Sequence, residues 1–269
     1  MPARRSLFGG VDVGASATKV VLLGASEEVR GSAVLPSGVD YAATARECLG
    51  RALEQAGASR EDLAFVVATG YGRDNVELAD VALTEILCHG IGCYHHVPRA
   101  ISVVDIGGQD NKVIRLDQEG RQQHFRMNRK CAAGTGAFLE EIAVRLSLSL
   151  EDLDRLARAA DSTLELSSFC TVFAKTEILA HLRRGATPAS IVRGAFAAVV
   201  TRVAEMDSLE GEVLLTGGVA AHNPTIAAML AARIGHAVVV PPDPQLTGAL
   251  GAALVARRRS ASRPDRQAG

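Results

Sequence analysis

The sequence lacks an excess of charge of either sign. Its 269 residues include 29 Lys and Arg residues against 30 Asp and Glu residues, and the formal net charge is −1. Such a balance provides no broadly basic surface for a polyanion or for an acidic lipid headgroup. We therefore expect neither a nucleic-acid partner nor a membrane partner.

Long apolar runs are also missing. The most apolar stretches, such as GAFAAVVTRVAEM, carry charged residues before they reach the roughly 20 residues that a membrane span requires. The opening MPARRSLFGGVDVG is too short and not apolar enough for a signal peptide. We expect a cytoplasmic protein whose length suits one large domain or two modest ones.

Cysteine is scarce and occurs in an odd number. The five cysteines are Cys48, Cys88, Cys93, Cys131 and Cys170. A chain without an export signal and with so few cysteines is expected to keep them as reduced thiols. The ordinary role of a reduced, buried thiol is that of a small apolar side chain.

What the sequence does contain is an internal repeat. DVGASATKVVLL at 12–23 aligns with DIGGQDNKVIRL at 105–116, with Asp, Gly, Lys, Val and Leu at matching offsets. Each copy predicts a β-hairpin, because an apolar strand ends in Asp-x-Gly and a β-branched return strand follows a small or polar turn. Two homologous halves are the simplest explanation.

The remaining segments alternate helices and strands, which is typical of an α/β fold. The apolar strands FVVATGYG and VLLTGGVA, each ending in Thr-Gly, support the duplication. Helices are predicted over 40–57, 76–93, 135–146, 150–159, 171–184, 188–206, 223–233 and 246–258, and further strands over 63–69, 212–218 and HAVVVPP. We expect a first lobe over 1–100, a second lobe over 101–258 whose last helix can return to the first lobe, and a disordered tail over 259–269.

The two hairpin turns have the chemistry of a nucleotide site. Gly14 and Gly107 allow the backbone to approach a phosphate closely, and Asp12 and Asp105 can hold Mg²⁺ through water. Ser16, Thr18 and Gln109 add neutral donors. The spacing matches neither the P-loop nor the Gly-x-Gly-x-x-Gly fingerprint, so we expect another phosphate-binding architecture.

With the later TGGVA segment, these turns resemble the actin, Hsp70 and sugar-kinase superfamily, in which duplicated ribonuclease-H-like halves close over ATP. The resemblance implies that VDVGASATK and VDIGGQD bind the phosphates and that TGGVA lies against the adenosine. Catalytic candidates are Asp12, Asp105 and Gln109, the last by position alone. The implied nucleotide-binding residues are Gly14, Ala15, Ser16, Ala17, Thr18, Lys19, Gly107, Gly108, Gly217, Gly218, Val219 and Gln245.

Cys131 and Cys170 each stand just before a predicted helix. A helix N-terminus lowers the pKa of a thiol and favours an anionic group bound to it. Two thiols complete neither a tetrahedral metal site nor an iron–sulfur cube, both of which require four ligands. A two-fold dimer would supply four thiols and would place one cluster on the symmetry axis.

KCAAGTGAFLE and SSFCTVFAKTEI, in this ATPase frame, resemble the activator ATPases of 2-hydroxyacyl-CoA dehydratases and the ATPase subunits of benzoyl-CoA reductase. The resemblance spans residues 8 to about 256. It implies a homodimer that binds ATP or ADP with Mg²⁺ and holds one [4Fe-4S] cluster between its subunits through Cys131 and Cys170. It also implies ferredoxin or flavodoxin as electron donor and a CoA-thioester dehydratase or reductase as acceptor, without choosing between these two acceptors.

Three alternatives remain open. CHGIGCYHH at 88–96 is dense in metal-ligand side chains, although its cysteines and histidines follow a helical apolar pattern and no second ligand pair has zinc-like spacing. A small-molecule kinase of the same fold would use Asp105 as general base. An actin-like assembly protein would bind ATP without any redox centre.

Overall fold

A computed structural model describes residues 6–128, 131–166 and 171–262 of the chain. Cys170 and the end of the predicted tail lie outside these ranges. The chain divides into two compact units. The first contains the residues up to Arg99, Gly120–Gln122 and the residues from Gln245 onward, and the second contains Ala100–Glu119 and Gln123–Pro244.

The described residues form ten strands and nine helices, besides three short 3-10 turns. The strands are β1 (Leu7–Val13), β2 (Ala17–Leu23), β3 (Val29–Pro36), β4 (Leu63–Thr69), β5 (Val81–Ala82), β6 (Ile101–Ile106), β7 (Asn111–Leu116), β8 (Gln122–Asn128), β9 (Val213–Thr216) and β10 (Val238–Val239). The helices are α1 (Tyr41–Ala56), α2 (Glu85–His96), α3 (Gly136–Leu146), α4 (Leu150–Ala159), α5 (Thr171–Arg183), α6 (Pro188–Ala204), α7 (Gly218–His222), α8 (Pro224–Ile234) and α9 (Thr247–Ala261).

The two sheets share one topology. The first has the strand order β3-β2-β1-β4-β5 and the second has the order β8-β7-β6-β9-β10. In each sheet the hairpin strands are antiparallel, whereas the central strand pairs in parallel with the strand that follows the helical crossover. This correspondence confirms the predicted duplicated, ribonuclease-H-like α/β fold, with the repeated sequences at the centre of each half.

In the first unit, helices cover both faces of the sheet. Helix α1 packs its buried side chains against one face, and α2 and α9 cover the other. Contact with α9 is close because Gly10 on β1 has no side chain: a Cβ there would lie 2.0 Å from the Ala249 carbonyl oxygen. Helix α1 is capped at both ends, by the Asp40 side chain and by Gly57 in the left-handed conformation.

In the second unit, one large apolar core lies against the sheet. It is built mainly from α3, α4, α6 and α8, and its largest fully buried side chains include Phe138 and Phe196. The periodic placement of apolar residues on these helices produces the buried faces. Within the described ranges, none of the helices combines the length and the apolar character that crossing a bilayer requires.

Several predicted elements differ from the structure. The helix predicted over 76–93 is wrong for its first part, because β5 occupies Val81–Ala82 and α2 begins at Glu85, where the Thr84 side chain accepts a hydrogen bond from the Leu87 amide. The sequence pattern also does not predict β3 and β8, which are largely exposed. Helix α9 extends to Ala261, so residues 259–261 are helical rather than part of a disordered tail.

Candidate functional site

The first hairpin turn joins β1 to β2. Asp12 and Lys19 face one another in the antiparallel register, and Lys19 Nζ donates a hydrogen bond of 3.0 Å to Asp12 Oδ2. The amide of Gly14 donates to the Ala17 carbonyl at 3.0 Å and closes the turn. A Cβ at Gly14 would lie 2.8 Å from that carbonyl oxygen, so the tight turn requires glycine here.

The second hairpin turn repeats this geometry between β6 and β7. Asp105 pairs with Lys112 in the register, and Lys112 Nζ donates to Asp105 Oδ2 at 3.1 Å. The Gly107 amide donates to the Asp110 carbonyl at 2.9 Å. The second turn differs in one respect, because Lys112 Nζ also bonds to Asp110 Oδ1 at 2.7 Å.

A Thr-Gly pair completes each half. Thr69 on β4 is in register with Asp12, and Thr216 on β9 is in register with Asp105. The glycines that follow, Gly70 and Gly217, have φ of +88° and +95°, and a Cβ on either would lie within 2.7 Å of the neighbouring aspartate Oδ1. The backbone therefore passes directly over each aspartate, which only glycine permits.

In the second turn, two neighbouring carboxylates keep Lys112 charged. Burial disfavours the charged form of Lys112, but the carboxylates of Asp105 and Asp110 outweigh burial and raise the pKa of Lys112. The hydroxyl of Thr216 donates to Asp105 Oδ1 at 3.3 Å. Two carboxylates against one ammonium leave this turn with a net negative charge, which a polyphosphate would meet unfavourably unless a cation accompanies it.

Sequence reasoning missed two side chains beside Asp12 and its turn. A Cβ at Gly248 would lie 2.9 Å from both Asp12 Oδ2 and His89 Nε2, so α2, α9 and the aspartate meet at this point. Ser37, between β3 and α1, donates from its hydroxyl to the Gly14 carbonyl at 2.6 Å. A single histidine near the end of a predicted helix is a weak signal, and Ser37 has no signal in the repeat.

The segment around Cys131 lies between β8 and α3. Cys131 is exposed, and its carbonyl accepts a hydrogen bond of 3.1 Å from Asn128 Nδ2. Farther along, the amide of Gly136 donates to the Gly107 carbonyl at 2.9 Å, which joins the start of α3 to the second hairpin turn. The structure therefore brings the Cys131 segment together with one predicted phosphate turn, within one unit.

The other predicted site residues are placed as follows. Gln109 is exposed in the second turn, Gly218 and Val219 begin α7, and Gln245 lies in a 3-10 turn just before α9. Cys170, the second predicted cluster ligand, lies outside the described residues. The predicted roles of these residues stay predictions.

The cysteine-rich and histidine-rich segment over 88–96 forms most of α2. Cys88, His89 and Cys93 are buried within the first unit. Burial raises the pKa of the Cys88 thiol to about 11, which disfavours the thiolate that a metal binds. Among the residues that the structure describes, no three His, Cys, Asp or Glu side chains form a group able to hold a metal ion.

Comparisons with known proteins agree on one family. The profile of the BadF/BadG/BcrA/BcrD ATPase family matches residues 10–256. The activator of lactoyl-CoA dehydratase from Anaerotignum propionicum is 42% identical over 250 residues, which cover 92% of this chain and 96% of that protein. A benzoyl-CoA reductase subunit from Thauera aromatica is 28% identical over 261 residues, which cover 93% and 92%.

A solved structure is similar as well. The activator of the 2-hydroxyisocaproyl-CoA dehydratase from Clostridium difficile, with bound ADPNP, has a TM-score of 0.90 and 36% sequence identity. The match covers 97% of this chain and 100% of that one.

Proposed function

Because the chain belongs to the BadF/BadG/BcrA/BcrD ATPase family, we propose that it hydrolyses ATP and thereby drives low-potential electrons into a partner enzyme. The observation that carries this proposal is the repeated Asp–Lys pair beside a closed glycine turn, joined in the second unit to the segment that bears an exposed cysteine. A phosphate-binding turn bonded to the segment of a redox ligand suits an ATP-driven electron carrier.

The partner is a 2-hydroxyacyl-CoA dehydratase. Support comes from the identities, because the lactoyl-CoA dehydratase activator is 42% identical to this chain whereas the benzoyl-CoA reductase subunit is 28% identical. The difference favours a dehydratase activator over a benzoyl-CoA reductase subunit.

The two hairpin turns bind the phosphates. Gly14 and Gly107 let the backbone approach the phosphate oxygens, and Ser16 and Thr18 supply neutral donors in the first turn. Gly217 and Gly218 lie against the adenosine. Gln109 orients the hydrolytic water, and its exposed position in the second hairpin turn supports this assignment.

Within each unit, the turn aspartate has the chemistry to hold Mg²⁺. The Oδ2 atoms of Asp12 and Asp105 each accept a hydrogen bond from a lysine ammonium group, so either carboxylate would hold the cation through water. Such a cation would offset the repulsion between the nucleotide phosphates and the carboxylates of the second turn.

A shared iron–sulfur site fits Cys131. Of the described cysteines, Cys48, Cys88 and Cys93 are buried while Cys131 is exposed. Burial raises the pKa of Cys48 to about 12 and that of Cys88 to about 11, so neither readily supplies a thiolate ligand. Cys131 is open to a cluster and to a second chain.

Cys131 and Cys170 from each of two chains would hold one [4Fe-4S] cluster in a homodimer, and this group would supply the one-electron carrier. The described Cys131 segment positions one of these thiols on the approach to α3. Ferredoxin or flavodoxin is the electron donor. The proposed location of the protein is the cytoplasm.

An anaerobic assay tests the function. The protein, ATP, a reduced flavodoxin and an inactive 2-hydroxyacyl-CoA dehydratase component are mixed, and dehydration of the CoA ester is followed. We expect dehydration only when both ATP and the protein are present, and no dehydration when ADPNP replaces ATP. Phosphorylation of a small molecule by an iron-free protein would instead support the kinase alternative.

A further inference from the structure

The internal duplication shows what the second unit has added. In the first unit four residues separate the end of β3 at Pro36 from the start of α1 at Tyr41. In the second unit seven residues separate the end of β8 at Asn128 from the start of α3 at Gly136, and Cys131 lies within this longer connection. The same connection has thus been lengthened in the half that carries the cysteine.

In both units this connection is tied to the hairpin turn by a side chain at the same position. This position is the one directly before the lysine of the Asp–Lys pair. Thr18 occupies it on β2, and Asn111 occupies it on β7. In the first unit the Thr18 hydroxyl bonds to the Ser37 hydroxyl at 2.9 Å. In the second unit Asn111 Nδ2 donates to the Gly134 carbonyl at 2.8 Å.

Asn111 is suited to the longer connection. Its amide reaches one bond farther than the threonine hydroxyl, and the side chain is 1% exposed. Its Oδ1 has no hydrogen-bond partner among the described residues. A buried acceptor left unpaired costs free energy, which offsets part of what the Nδ2 bond contributes.

The end of the connection is fixed to the same turn by backbone bonds. The Gly136 amide donates to the Gly107 carbonyl at 2.9 Å, and the Ala137 amide donates to the Gly108 carbonyl at 2.7 Å. A Cβ at Gly136 would lie 3.1 Å from Gly108 Cα and 3.3 Å from a methyl carbon of Val219. Residues assigned to the phosphates and to the adenosine therefore both touch the start of α3.

We propose that Asn111 is a positioning residue that links the second phosphate turn to the Cys131 segment, so that nucleotide binding at the turn alters the Cys131 segment. This inference rests on the proposed function, since it requires that the turn at 107–110 contact a nucleotide. It adds the side chain through which the nucleotide acts, at a position that sequence reasoning left out.

Hydrogen–deuterium exchange of the full-length protein tests the link, with and without ADPNP. In the wild type, ADPNP should slow exchange in peptides that cover 107–110. In peptides that cover 131–135 it should change the exchange rate by at least about fivefold, the lower end of typical coupling between sites. These measurements do not depend on the catalytic activity of the protein.

Two variants and one control complete the experiment. N111A removes the Nδ2 donor that bonds to the Gly134 carbonyl. N111D also removes this donor but keeps the size of the side chain. With two variants, the test does not depend on the folding of either one alone. Both should keep the response at 107–110 and lose it at 131–135, the part of the connection that the backbone bonds of Gly136 and Ala137 do not hold. S102A removes another bond from a buried side chain to a backbone carbonyl, from Ser102 on β6 to Glu210, and should keep both responses.

The possible results distinguish the link from nucleotide binding itself. A wild-type response at 107–110 without one at 131–135 would overturn the link while leaving nucleotide binding intact. A full response at 131–135 in N111A and N111D would do the same. No response at 107–110 in the wild type would overturn both.

Discussion

Lys112 Nζ lies 3.1 Å from Asp105 Oδ2, and the two side chains are only 7% and 4% exposed. A buried ion pair of this kind is costly to break, because removal of one partner leaves the other charge without compensation. The same pair recurs as Lys19 and Asp12 in the first unit, where the lysine is more exposed. The charges of both turns are thus built into the core of each half.

The variant K112M should unfold more easily than the wild type. It removes the ammonium group that pairs with the buried Asp105 carboxylate, which should lower the free energy of unfolding by about 3–5 kcal/mol. Urea denaturation followed by circular dichroism measures the change. The control R51M breaks the exposed pair between Arg51 and Glu47 and should cost no more than about 0.5 kcal/mol. Equal losses of unfolding free energy in K112M and R51M would show that burial of the Lys112–Asp105 pair does not contribute to stability.

The variant Q109A should hydrolyse ATP slowly while binding it normally. Because Gln109 is proposed to orient the water and not to hold the nucleotide, kcat should fall by roughly 100-fold, with ADPNP affinity unchanged. Steady-state ATPase assays and calorimetric titration with ADPNP measure the two quantities. Q122A alters another exposed glutamine, on β8, and serves as the control. Normal turnover in Q109A would leave the water-orienting residue to be found elsewhere.

The variant G10A should loosen the packing of α9 on β1. The added Cβ would meet the Ala249 carbonyl and the Ala253 amide, at 2.0 and 2.4 Å, so backbone must shift and we expect a loss of about 3 kcal/mol. G50A provides the opposite control, since Gly50 is exposed within α1 with nothing within 4 Å of an added Cβ. That change should stabilise by about 0.5–1 kcal/mol. Differential scanning calorimetry distinguishes the two, and a stable G10A variant would contradict the close contact.

Asp207 should make the protein sensitive to acid. Burial raises the pKa of this carboxyl, but hydrogen bonds from His124, Arg115 and the Leu209 amide outweigh it and hold the pKa below its ordinary value. A depressed pKa in the folded state adds stability that is present above the unfolded pKa of about 3.9 and is lost as pH falls through the folded pKa.

Urea denaturation between pH 7 and pH 3 should therefore show a steep loss of stability below about pH 4. In the Asp207→Asn variant this dependence should be shallower, because the titrating carboxyl is gone. Asp152→Asn removes an exposed carboxyl paired with Arg155, whose contribution is small in water, and should keep the wild-type profile. Identical profiles for all three proteins would rule out Asp207 as the acid-sensitive group.

The repeat in the sequence is enough to predict the fold and the two aspartate turns. Asp12 and Asp105, with their lysines, lie at equal offsets because each half places its hairpin at the centre of its sheet. Strands β3 and β8 are not predictable in this way, because nearly all of their residues are exposed or only partly buried and show no clear apolar alternation.

The site is less completely predictable, because the residues that the sequence does not predict reach the site only through tertiary contacts. His89 lies beside Asp12 only because α2 and α9 pack together on β1. Asn111 is within reach of sequence reasoning, because it aligns with Thr18, which the turn chemistry singles out. A residue-by-residue comparison of the two halves identifies it.

The iron and labile sulfide content of anaerobically purified protein tests most directly whether two chains share one cluster through Cys131 and Cys170. We expect one [4Fe-4S] cluster per two chains, lost in C131S and retained in C93A, which alters a cysteine buried in α2. Protein that hydrolyses ATP but contains neither iron nor labile sulfide, even after reconstitution, would contradict the shared cluster.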